Sequence, residues 1–236
     1  MDNSDTKRTS IFSKRVSFGA IALILAGLSL LPQGILTANV PTAPEQNLAF
    51  AAGANSISYR FSMMLVSLSL TLFILGVFAL YAHLAQTKQE KMAFAGLIVT
   101  VGFLALFLPL TGFAAFVVPA IGNLVEHGQM EMISVLDAIF KEPFLPIQFF
   151  AGILWNIGSI LLGIAIWRSE SLWKWGGLLF IVYGVIGIPS FLDVKVFQIV
   201  APTVGGLAQI AVGISLWHTV HSSRFGVAGE NVVSAA

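Results

Sequence analysis

Two side-chain amides lie inside long apolar runs: Asn156 in FFAGILWNIGSILLGIAIW and Gln209 in VGGLAQIAVGISLW. Hydrocarbon offers an amide no water. It must either hydrogen-bond a neighbouring helix, worth about 0.5–2 kcal/mol, or line a small polar cavity that takes a ligand. The sequence leaves both open, and Asn156 and Gln209 are the ligand-binding candidates. The four histidines come next. His83, His218 and His221 fall at the ends of apolar runs, the last two at a helical i, i+3 spacing. A metal or haem there needs more ligands and a supporting shell, and the plausible carboxylates are Glu90 and Glu170. His127 and Glu131 share an i, i+4 spacing beside Glu126, a set that could hold a metal ion only weakly. The chain has no HExxH sequence, nucleophile elbow, phosphate loop or dinucleotide fingerprint. It also has no cysteine, which excludes disulfides, zinc thiolate sites and iron–sulfur clusters. The expectation is therefore no catalytic residue, no metal and no cofactor.

These residues are positioned by apolar segments. Of the 236 residues, 57% are hydrophobic and 10% charged, and the mean hydropathy is +0.89. Soluble domains carry about 25% charged residues, so the chain reads as an all-α polytopic membrane protein. A net charge of +1, thinly spread, excludes a nucleic-acid surface. Six spans are expected, at about 16–36, 61–84, 92–121, 145–167, 173–190 and 196–218, in one domain covering 16–218. Residues 1–15 and 219–236 then form an N-terminal segment and a short tail. The clearest unit is the hairpin from Leu145 to Pro189, whose two apolar runs flank the charged turn Arg168–Lys174. Residues 37–58 read as an exposed loop. Ala49-Phe50-Ala51 has the form of a signal-peptidase site, but it lies well beyond the first apolar run, so that run is expected to stay as the first helix. Prolines 109 and 119 predict a kink or an early end in the third span. Met132, Ile133, Leu136, Ile139 and Phe140 share one helical face, as an interfacial helix or a packed cap would require.

Charge sets the orientation. With six spans, Lys7, Arg8, Lys14, Arg15, Lys88, Lys91, Arg168, Lys174 and Arg224 share the side of the termini, against Arg60, Lys141 and Lys195 on the other. Positive charge gathers in cytoplasmic loops, so both termini are expected in the cytoplasm and the protein in the inner membrane. The even spans end alike, in LGVFALY, LGIAIW and VGISLW; the odd ones carry Pro32, Pro109 and Pro189 toward the other end. Gly76, Gly163 and Gly213 would let backbones approach closely, while the aromatics anchor at the headgroups. Three helical hairpins fit the pattern, whether by duplication or by shared membrane-helix preferences.

The Tyr59-Arg60-Phe61 start of helix two, its LGVFALY end, LWKWGGLLFIVYGVIG in helix five and the glycine-rich start of helix six are similar to a family of bacterial six-helix integral membrane proteins, a domain of unknown function. That resemblance implies the architecture and carries no activity or site residues. Without ionisable residues inside the spans, the leading expectation is a non-enzymatic accessory or assembly subunit of a membrane complex. Its surroundings would be the lipid bilayer and its partners other membrane-protein subunits. The alternative is a binder or carrier of a small apolar or lipid-like molecule, using the Asn156/Gln209 region.

Overall fold

The computed structural model describes the backbone of residues 3–38, 40, 47–190 and 195–233, and side chains from Ile11 to Ser222 except at 39, 41–47, 143 and 188–195. Pro41, Pro44, Glu45, Gln46 and Asp193 lie outside the described residues, as do the side chains of Lys7, Arg8, Lys195 and Arg224. Among the described residues there is no strand. Five helical segments are long and apolar enough to cross a membrane: Ile11–Thr37, Ile57–Leu84, Glu90–Glu126, Leu145–Arg168 and Val196–Ser222. The predicted fifth span forms the shorter apolar helix α9, Lys174–Ser190.

α1 (Asn3–Leu30) starts well before residue 16, because no proline or glycine interrupts the polar segment ahead of Gly19. Pro32 ends it and caps the short α2 (Gln33–Thr37). The region read as an exposed loop contains α3 (Asn47–Ala54), with Phe50, Ala51 and Ala54 buried. Alanines favour the helix, and its apolar face is covered by later elements. α4 (Ile57–Leu84) is N-capped by Ser56, whose side chain accepts from the Tyr59 amide. α5 (Glu90–Gly112) contains Pro109 and passes through a π-turn at Phe113–Val117 into α6 (Val118–Glu126), which has Pro119 in its first turn. The two prolines thus bracket a local widening rather than a break, since a π-turn re-satisfies backbone that proline leaves unpaired. The predicted stripe is α7 (Met132–Ile139). Leu136 and the following Phe140 are buried against α3 and α6, so it packs as a cap. Glu142, extended at φ −148° ahead of Pro143, breaks the chain before α8 (Leu145–Arg168). α10 (Lys195–Val233) continues well past the expected boundary at 218.

Each long helix packs on the next in sequence, α1–α4–α5–α8–α9–α10, and α10 returns to α1, closing a ring. The predicted hairpins are all neighbours in it, but so are the helices between hairpins. Small residues set the seams. A methyl group on Gly27 would meet the Gly206 carbonyl oxygen at 2.4 Å, and one on Gly163 would meet that of Gly177 at 2.7 Å. Gly213 lies against Ala20 and Ile24, and Gly76 against Leu23, so the three glycines noted in the even helices do bring backbones together. α1 is part of the main core through Val16, Ala20, Leu23 and Ala26. Outward faces carry large apolar side chains, among them Phe18, Phe61, Phe78, Phe149 and Phe150. A surface of that extent suits lipid rather than water.

Candidate functional site

The ring is hollow toward one end. A cavity of about 420 Å³ opens there and draws lining residues from all six long helices. It is built by regular spacing. α4 contributes Tyr59, Met63, Val66 and Leu70; α5 contributes Phe103, Phe107, Leu110 and Ala114; α8 contributes Gln148, Gly152 and Trp155. Steps of three and four residues keep each set on a single helical face.

The floor is aromatic. The Trp155 ring lies 4.7 Å from Phe103, 4.9 Å from Tyr183 and 5.7 Å from Phe73, mostly tilted or edge-on. Such pairs are worth about 0.5–1.5 kcal/mol beyond area burial, so the floor is rigid. Gln209 completes it, only 2% exposed, and its side-chain oxygen has no hydrogen-bond partner. Nearby Ser69 is satisfied, its hydroxyl donating to the Ala26 carbonyl at 2.8 Å. Gln33, Thr37, Gln148 and Gln198 place a second polar set toward the mouth. Above them Phe50, Phe140 and Phe144 form a roof, with the Phe50–Phe140 rings 5.4 Å apart and Phe140–Phe144 4.8 Å apart. Asn55 fastens the same end, donating to Glu126 at 2.6 Å and accepting from Arg60. None of the described residues lining the cavity is acidic, basic or histidine.

The structure separates the two amides singled out in the sequence. Gln209 lines the cavity; Asn156 lies behind Gly187 in the α8–α9 seam, where a methyl at Gly187 would approach its Oδ1 to 2.3 Å. That oxygen is also buried and unpartnered, and no hydrogen bond joins the two amides. The histidines are dispersed. His83 Nε2 lies 3.1 Å from the Ser171 hydroxyl, and His221 stacks on Trp217 with Nδ1 2.9 Å from its carbonyl oxygen. His127 Nδ1 is held 2.8 Å from the Asn123 carbonyl oxygen, and Glu126 is engaged by Asn55. Among the described residues no three His, Asp or Glu side chains converge as metal ligands.

Trp155, Tyr183, Phe103 and the roof were not anticipated. A signal did exist: polar and aromatic residues at helical spacing in otherwise apolar segments, as in Gln148, Gly152 and Trp155. A second hollow, outside the ring between α4 and α6, is lined by Arg60, Met64, Phe116 and Asn123, with no buried unpartnered polar group. Comparison with protein-family models, with characterised proteins and with solved structures finds no match to the chain.

Proposed function

We propose that the protein is a non-enzymatic, multi-pass inner-membrane protein that binds or carries a small lipid-like molecule in the cavity enclosed by its helical ring. One observation carries this reading: all six long helices converge on a cavity of about 420 Å³, within the usual size of ligand sites, whose floor holds a buried and unpaired amide oxygen. The small-residue surfaces that suggested an accessory subunit are occupied within the ring, where Gly27, Gly163 and Gly213 face neighbouring helices of the same chain. The cavity is therefore the better-supported basis for function.

In this reading α9 also crosses the bilayer, giving six spans arranged as three hairpins. Its 17 residues cover about 26 Å at 1.5 Å per residue, and the residues flanking it supply the remainder. Both termini lie in the cytoplasm and the roofed mouth faces outward. The place of α1 in the main core supports its retention as a span. Orientation is tested by Glu90→Cys, in a chain with no native cysteine. An impermeant maleimide should label it in inverted vesicles and not in intact cells, and the reverse pattern would contradict the topology.

Binding is tested by thermal unfolding in mild detergent. 1-Lauroylglycerol should raise the unfolding temperature saturably, since a ligand at 100 times its Kd stabilises by about 2.7 kcal/mol. No rise up to its solubility limit would count against the reading.

A further inference from the structure

The chemistry of the cavity defines the head group it takes, an inference that rests on the binding reading above. The floor, the wall and the ligand volume each narrow the choice. At the floor, the Gln209 side-chain oxygen is buried without a donor. Buried acceptors in native proteins are almost always paired, so a site left with one is completed by something that donates a hydrogen bond. The wall offers no counter-charge. Its polar members are amides and hydroxyls, including Gln33, Thr37, Gln148 and Gln198, and among the described lining residues none is Lys, Arg or His. An ionised head would be stripped of water with no ion to pair it, which disfavours carboxylates and phosphates. The volume, about 420 Å³, equals about fourteen water volumes at roughly 30 Å³ each. That holds the body of one short acyl chain and not of two.

We propose that the cavity selects an uncharged, hydroxyl-bearing, single-chain amphiphile, whose hydroxyl donates to the Gln209 side-chain oxygen beside the Trp155–Tyr183 pair. The head is then bound at the floor, deep within the helical ring. The apolar body runs toward the mouth past Val66, Phe107 and Ala201, which line the cavity between the floor and the roof. A hydrocarbon or simple ester of the same length fills the same volume but leaves the Gln209 oxygen unpaired. The cost of that omission sets the selectivity, about tenfold for one hydrogen bond in a buried site.

Trp155 supplies the readout, because it lines the cavity while the chain's other tryptophans, Trp167, Trp173, Trp175 and Trp217, do not. With those four replaced by Phe, three quenchers of equal chain length are titrated into bromine-free nanodiscs. They are 1-(11-bromoundecanoyl)glycerol, methyl 11-bromoundecanoate and 11-bromoundecanoate at pH 8. The glyceryl ester should quench saturably with a Kd about tenfold below that of the methyl ester, and the carboxylate should bind weakest. Gln209→Leu should erase the tenfold preference while the methyl ester still binds. Thermal shifts of the otherwise unchanged protein with the same three compounds give a second readout, should the four-tryptophan variant fold poorly. Equal binding of the two esters, a preference that survives Gln209→Leu, or tightest binding of the carboxylate would overturn the head-group assignment and leave the cavity a binding site. Absence of saturable quenching and of any thermal shift with all three would overturn the binding reading itself.

Discussion

Ala201→Phe is expected to abolish ligand binding while leaving the helical ring intact. Ala201 is buried, belongs to α10 and lines the cavity, so its side chain already points into the space a ligand needs. A phenyl ring there fills part of the 420 Å³ instead of displacing a packed neighbour. The usual cost of overpacking, about 1–3 kcal/mol, therefore does not apply, and filling a void adds dispersion contacts. The thermal shift with 1-lauroylglycerol should vanish, a loss of at least about 100-fold in affinity, or about 2.7 kcal/mol. The unfolding temperature without ligand should stay or rise slightly. Ala114→Phe, on the opposite side from α5, provides an independent filler. If both variants bound as well as the parent chain, the ligand would have to lie elsewhere.

The second large effect concerns the seam that closes the ring. Gly27→Val places a Cβ within 2.4 Å of the Gly206 carbonyl oxygen and 2.7 Å of Ile210 Cγ1. Backbone cannot step aside as a side-chain tip can, so α1 and α10 must separate. The expected loss is about 3 kcal/mol or more, toward or beyond the upper end for overpacked cores, because a backbone atom is the obstacle. Gly27→Ala should lose less but still measurably. Gly112→Ala is the matched control: nothing lies within 4 Å of an added methyl, and helical alanine is favoured over glycine by about 0.5–1 kcal/mol. Unfolding in graded SDS would rank the three. Equal stability of Gly27→Val and Gly112→Ala would contradict the close α1–α10 approach.

The helices were legible because each is a long run without internal charge, and lipid-spanning length is readable from that alone. Their neighbours were not. The glycine signals at 76, 163 and 213 announced close approach but could not say that Gly213 meets α1 from the far end of the chain. α3 was hidden because its eight residues carry only a short apolar pattern beside a proline-containing segment, and its burial depends on α6 and α7 arriving 70 residues later. The α7 stripe was readable as amphipathic, while its partner became visible only with α3 and α6 in place.

The same limit applies to the site. Asn156 and Gln209 looked equivalent in sequence, each a lone amide deep in an apolar helix. Rotation about the helix axis distinguishes them: Gln209 reaches the cavity, and Asn156 is covered by Gly187. Rotation is set by the seams on either side, which involve residues remote in sequence. The cavity itself is the space left where the ring widens toward its roofed end, a property of six helices together that no single segment displays.

The most direct test of the central claim is native mass spectrometry of the wild-type protein released from the membrane in mild detergent, beside Ala201→Phe prepared identically. The account predicts one neutral, single-chain amphiphile retained at a 1:1 ratio by the wild type and lost from the variant. A wild-type protein free of such a molecule, or one retained equally by Ala201→Phe, would contradict it.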